Sequence, residues 1–139
     1  MNHKLDAAKA IILVVEDDPN NLLVITRLLK LAGINPDHVY TCTTDPADFL
    51  KESPIVPDLI FLDIQLPKKD GYAILEELRN NPKTKSTCII ALTANVMKQD
   101  IEKAKNAGFD GFIGKPIDGR RFSENLNKLM AGESVWMVQ

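Results

Sequence analysis

The chain has 139 residues, 45% of them hydrophobic and 26% charged, with a formal net charge of −2. That is one domain's worth, enough to bury a core without staples, and too near neutrality to bind nucleic acid or a membrane through bulk charge. The longest solid apolar run, residues 10–15, is too short for a bilayer, and residues 1–9 hold Lys4, Asp6 and Lys9 without the apolar stretch of a signal peptide.

Residues 10–15 predict a buried strand. Glu16, Asp17, Asp18 and Pro19 follow, and an acidic residue before Pro is a helix-start signal. Leu22, Ile25, Leu29 and Ala32 repeat at helical spacing, and Gly33 suits the position just past a helix end. A shorter strand is predicted at Val39–Cys42, and Thr44, Asp45 and Pro46 then open a helix ending near Glu52. Residues 59–62 are the third apolar run, which stops at Asp63. A loop with Pro67 and Gly71 leads to a helix carrying Leu75 and Leu78, broken at Asn81-Pro82. The fourth run, 88–92, stops at Thr93, and Met97, Ile101 and Ala104 mark a helix ending at Gly108. The fifth, 111–113, stops just before Lys115-Pro116, and Phe122, Leu126 and Leu129 line a last helix. Residues 132–139 show no usable period and are read as a C-terminal tail, as 1–9 are read as an N-terminal one, leaving 10–131 as the domain.

Five βα units in succession predict an α/β fold, a flavodoxin-like (βα)5 doubly wound parallel sheet with strand order 2-1-3-4-5. All strand ends then fall on one edge, where ligands bind in such sheets, and Glu16, Asp17, Asp63, Thr93 and Lys115 meet there. The same order separates Cys42 and Cys88 by about 14 Å, too far for a disulfide. Both are read as small core hydrophobes, and no His/Cys spacing resembles a zinc site. His3 falls in the tail and His38 on the surface.

Carboxylates at neighbouring strand ends repel one another unless a cation lies between them. Mg²⁺, a hard cation that takes oxygen ligands and keeps waters, suits Glu16, Asp17 and Asp63, with Mn²⁺ as a substitute. Asp63 is the candidate nucleophile, because an aspartate can attack a phosphoryl group to give an acyl phosphate. Lys115, the Thr93 hydroxyl and a backbone N–H near Ala94 would neutralise the phosphoryl oxygens, since such transfers rest on positioning and charge. Taken singly, these residues have plainer uses. Asp17 or Asp18 can cap the helix at Pro19, Thr93 can cap a helix over 94–107, and Lys115 can be a solvated turn lysine.

The strings Ile12-Leu13-Val14-Val15-Glu16-Asp17-Asp18-Pro19, Leu62-Asp63-Ile64-Gln65-Leu66-Pro67 with Gly71, Ala91-Leu92-Thr93-Ala94 and Gly114-Lys115-Pro116 together resemble the receiver domain of the two-component response-regulator family. The likeness runs from about Ala10 to Met130. It implies Asp63 as phosphoacceptor, Asp17 as direct metal ligand, Glu16 as the acid holding metal through water, and Gln65 as a ligand through its backbone carbonyl. It implies catalytic roles for Thr93 and Lys115, a switch formed by Thr93 and Phe112, and a cis Lys115–Pro116 bond. Gln65 and Asn95 fall at positions whose side chains tune dephosphorylation in the family. Glu16 stands where Asp is commoner, and Phe112 lacks the hydroxyl that Tyr would bring.

The expectation is a cytoplasmic, stand-alone response regulator that is phosphorylated by a histidine kinase or histidine phosphotransfer protein and switches a face toward a downstream protein target. It would be a monomer or weak homodimer, bind no nucleic acid or membrane, and catalyse only its own phosphorylation and dephosphorylation. No output domain is expected, and Trp136 is read as part of an untidy tail or as a docking residue. Lys68 and Lys69 are read as a solvated pair or a steering element. A phosphorelay intermediate, or a receiver excised from a hybrid kinase or larger regulator, stays open. A haloacid-dehalogenase-type phosphohydrolase ranks lower, because Gln65 stands where that family has its second Asp. A nucleotide or flavin binder ranks lower too, because no glycine-rich phosphate loop is present. A receiver that ignores phosphate is also conceivable, although every site position holds a competent residue.

Overall fold

The apolar runs become strands because their alternate residues are buried in opposite layers. The computed structural model describes residues 4–137. The chain runs β1 (Ile12–Val15), α1 (Pro19–Leu31), β2 (Val39–Cys42), α2 (Ala47–Glu52), β3 (Leu59–Asp63), α3 (Gly71–Asn80), β4 (Cys88–Thr93), α4 (Lys98–Ala107), β5 (Gly111–Gly114), α5 (Gly119–Met130) and β6 (Val135–Met137). The strands form one six-stranded sheet in the order β2-β1-β3-β4-β5-β6, and every pairing is parallel. The predicted order of the first five strands is therefore observed.

Ile12, Val14, Leu59, Phe61, Ile90, Leu92 and Ile113 face α1 and α5, where they pack on Ile25, Leu29, Phe122, Leu126 and Leu129. Leu13, Val15, Ile60, Leu62, Ile89, Ala91 and Phe112 face the other layer, built by Leu50 of α2, Leu75 and Leu78 of α3 and Ala104 of α4. Cys42 and Cys88 are free thiols on β2 and β4, with β1 and β3 between them. Burial pushes the Cys88 thiol up to about 12. His38 is half-buried rather than exposed; His3 and Val138 lie outside the described residues. No helix among the described residues is long and apolar enough to cross a membrane.

Three departures from the sequence reading have clear causes. The segment 132–139 reads as a tail, yet Val135–Met137 add a sixth strand beside β5. Three residues are too few to carry a period-two signal, but Val135 is buried and Trp136, opposite Phe112 in register, packs on the core. Gly111 admits this strand, since a Cβ there would lie 2.7 Å from the Val135 carbonyl oxygen. The second departure is α4, which begins at Lys98 rather than Ala94. Asp100 reaches back to accept a bond from the Met97 N–H at 3.0 Å and so fixes the helix start there. Residue 4 onward also departs from a free tail, because Leu5 donates its N–H to the Met130 carbonyl at 2.7 Å and packs on the core.

Candidate functional site

Helix starts and strand ends assemble the site. At the start of α1 the Asp18 carboxylate accepts a bond from the Asn20 N–H at 2.8 Å, so Asp18 is the cap. Asp17 is thereby released from capping and joins the acidic group. Ligand atoms of Glu16, Asp17 and Asp63 all lie within 4.8 Å of one another, with Glu16 and Asp63 buried and Asp17 exposed. Parallel pairing of β1 with β3 causes this, because Val15 lies opposite Leu62 and the next residues, Glu16 and Asp63, come side by side.

Lys115 answers the buried charge. Its Nζ lies 2.7 Å from Glu16 Oε1 and 3.2 Å from Asp63 Oδ2, with the lysine side chain 13% exposed. Glu16 is fully buried and Asp63 is 2% exposed. Burial pushes the Glu16 carboxyl above its ordinary value, and the bond from Lys115 only partly offsets this. Burial would lower Lys115, but its bond to Glu16 and the charge of Asp63 outweigh that and hold it above its ordinary value. Glu16 Oε2 also accepts the Asp18 N–H at 3.0 Å, and Asp63 Oδ1 accepts the Gln65 N–H at 2.8 Å. The Lys115–Pro116 peptide is cis, and the Lys115 N–H bonds the Thr93 carbonyl at 2.8 Å, which ties the end of β5 to that of β4.

Thr93 is fully buried at the end of β4. It does not cap α4, which starts later. Its hydroxyl donates to Gln65 Oε1 at 3.2 Å and accepts from the Asn95 N–H at 3.0 Å. The Ala94 N–H donates to the same Gln65 oxygen, also at 3.2 Å. No periodicity or motif in the sequence signals this use of the Gln65 side chain. Gly71 makes the β3–α3 loop possible, because a Cβ there would sit 2.3 Å from Ile64 Cα. Lys69 is not a solvated loop lysine: it bridges Asp45, at 2.8 Å, and Glu77. Phe112 lies inward and fully buried on β5.

The response regulator receiver domain model matches residues 12–127. The chain belongs to that family. Among its relatives, the hybrid signal transduction histidine kinase L of Dictyostelium discoideum is 37% identical over 120 residues, which are 84% of this chain but 7% of that kinase. The chain thus matches one segment of a far longer protein. The polar-differentiation response regulator DivK of Brucella ovis is 29% identical over 119 residues, covering 86% of this chain and 94% of DivK. The receiver domain of the sensor histidine kinase PA1611 of Pseudomonas aeruginosa superposes with a TM-score of 0.74 at 29% identity, over 91% of this chain and 100% of that one. That domain was crystallised with a magnesium ion coordinated in its active-site cleft. In this receiver the carboxylates of Glu16, Asp17 and Asp63, two of the residues buried, are oxygen donors that fit a hard divalent cation.

Proposed function

We propose that this receiver accepts a phosphoryl group on Asp63 from a phosphohistidine of a histidine kinase or phosphotransfer protein, in the cytoplasm, and then presents an altered face to a protein target. The observation that carries this reading is the setting of Asp63. Its carboxylate is buried at a sheet edge, held by the Gln65 N–H and the Lys115 ammonium, beside two further acids and a buried hydroxyl.

Glu16, Asp17 and Asp63, with the Gln65 backbone carbonyl, would hold Mg²⁺, and Mn²⁺ would serve in its place. When bound, the cation supplies positive charge against the phosphoryl oxygens. Asp63 does the bond-making. One carboxylate oxygen forms an O–P bond as the donor's P–N bond breaks, and the electron pair leaves with the imidazole. Lys115 then turns from a carboxylate neighbour to a phosphoryl oxygen, and the Thr93 hydroxyl and Ala94 N–H donate to another. Phe112, already packed inward, follows Thr93 as the second member of the switch. The chain turns over no external substrate in this scheme.

Intact-protein mass spectrometry after incubation with acetyl phosphate and Mg²⁺ tests the reading. A phosphoryl-sized gain is expected that disappears in Asp63→Asn and with a chelator. A gain that survives Asp63→Asn moves the acceptor elsewhere. The similarity to a hybrid kinase supports a second reading, in which Asp63 passes the phosphoryl group on to another histidine. Transfer of label from the phosphorylated chain to a histidine phosphotransfer domain separates the two.

A further inference from the structure

The donors assigned to the phosphoryl group are already engaged. The Thr93 hydroxyl and the Ala94 N–H both point at one atom, Oε1 of Gln65, at 3.2 Å each. The backbone N–H can only donate, which fixes the amide with its oxygen toward them. A hydroxyl has one proton to give, and so does a peptide N–H. Neither can be spent on Gln65 and on a phosphoryl oxygen at the same time. The Thr93 oxygen also accepts the Asn95 N–H at 3.0 Å, which holds the hydroxyl in place. The one proton that the switch residue can donate is therefore engaged before any phosphoryl group arrives.

We propose that the Gln65 side chain is a placeholder for the phosphoryl group, occupying with its amide oxygen the seat that a phosphoryl oxygen on Asp63 would take. This rests on the reading of Asp63 as acceptor. Gln65 follows Asp63 by two residues, and its own N–H bonds Asp63 Oδ1 at 2.8 Å, so backbone and side chain of one residue touch both the acceptor and the switch. The side chain is exposed, whereas Thr93 is fully buried. The amide can thus swing into solvent and remake its bonds with water, while Thr93 depends on whatever lies over it. Phosphorylation becomes an exchange of acceptors at Thr93 and Ala94 instead of a gain of new bonds. Gln65 is then a positioning residue that sets how readily the site loads.

The test uses the full chain with Gln65→Met, which keeps the length and removes the acceptor, and Gln65→Glu, which keeps an acceptor. Two readouts are taken: hydrogen exchange of the Ala94 amide in metal-free protein, and binding of beryllium trifluoride, a mimic of an Asp-bound phosphoryl group, in the presence of Mg²⁺. Gln65→Met is expected to exchange faster at Ala94 and to bind the probe about thirty-fold tighter, the weight of two ordinary neutral hydrogen bonds. Gln65→Glu is expected to keep Ala94 protected and to bind the probe more weakly than the parent, since a carboxylate in that seat also repels it. If the parent binds the probe through Asp63 but Gln65→Met binds no tighter, the placeholder is overturned and the acceptor reading stands. Unchanged exchange at Ala94 in Gln65→Met overturns it as well. If the parent and Asp63→Asn alike bind no probe, the acceptor reading fails and the placeholder falls with it.

Discussion

Replacing Lys115 with Met should expose how the acidic site is held together. The ammonium sits 2.7 Å from Glu16 and 3.2 Å from Asp63, both almost without solvent contact. Removing one partner of a buried ion pair costs about 3–5 kcal/mol, because the charge left behind can neither be solvated nor neutralised cheaply. The exposure of Asp17 and the partial exposure of Lys115 place this site near the lower end, so about 3 kcal/mol is expected in chelator. At about 3 °C per kcal/mol for a chain of this size, the melting temperature should fall by roughly 10 °C. Mg²⁺ should recover much of that loss, because a cation among the carboxylates replaces the missing charge and binds the native state alone. The Mg²⁺-dependent rise in melting temperature should therefore be larger in Lys115→Met than in the parent. Acidification should shrink the deficit. Glu16 already lies above its ordinary value and rises further without Lys115, so protonation relieves the repulsion as pH falls toward the carboxylate range. Differential scanning calorimetry with and without Mg²⁺ at two pH values reads all three effects. An unchanged melting temperature in chelator, or a smaller Mg²⁺ response than the parent's, would refute the account of Lys115 as the resident counter-charge.

Adjacent acids at the start of α1 should separate cleanly. Asp18→Ala should lose about 1 kcal/mol of stability with its cap and keep the Mg²⁺ response, whereas Asp17→Ala should fold normally and lose that response; thermal melts with a Mg²⁺ titration distinguish them. Trp136→Ala should cost about 1–2 kcal/mol, less than a fully buried aromatic, and should speed amide exchange on β5 at Phe112 and Ile113, the register partners of β6. Unchanged exchange there would mean that β6 contributes nothing to the sheet edge. The Cys88 thiol, pushed up to about 12, should react far more slowly with a thiol reagent at pH 8 than in urea. Its raised value leaves stability unaffected below the ordinary thiol range, near 9, and makes the folded state lose stability as pH climbs from there to about 12. Equal labelling of Cys88 in folded and unfolded protein would contradict its burial.

What the sequence made legible and what it hid divide along a physical line. Strand and helix order could be read because each element carries a period: residues 59–62 are apolar throughout since both faces of β3 are covered, and Leu22, Ile25 and Leu29 repeat because α1 buries one stripe. The meeting of Glu16, Asp17 and Asp63 could be read because topology alone brings the ends of β1 and β3 together. Residues whose role depends on side-chain reach were not legible. Whether Asp17 or Asp18 caps α1 turns on a single 2.8 Å bond, and two adjacent acids carry no pattern that chooses between them. β6 was hidden because three residues cannot show a period, and the clearest trace of it lies elsewhere, in a glycine at 111 where a side chain would strike the Val135 carbonyl.

Gln65 is the sharpest case of this division. By position it reads as a backbone metal ligand whose side chain tunes dephosphorylation, but nothing in the sequence pattern says which atoms that side chain touches. Its amide nevertheless reaches across to β4, a contact between residues 28 and 29 positions apart. The same chain thus carries two layers of information. One is periodic and fixes where Asp63, Thr93 and Lys115 stand. The other is a matter of single bonds, and it decides whether those residues stand free or already engaged when a phosphoryl donor approaches.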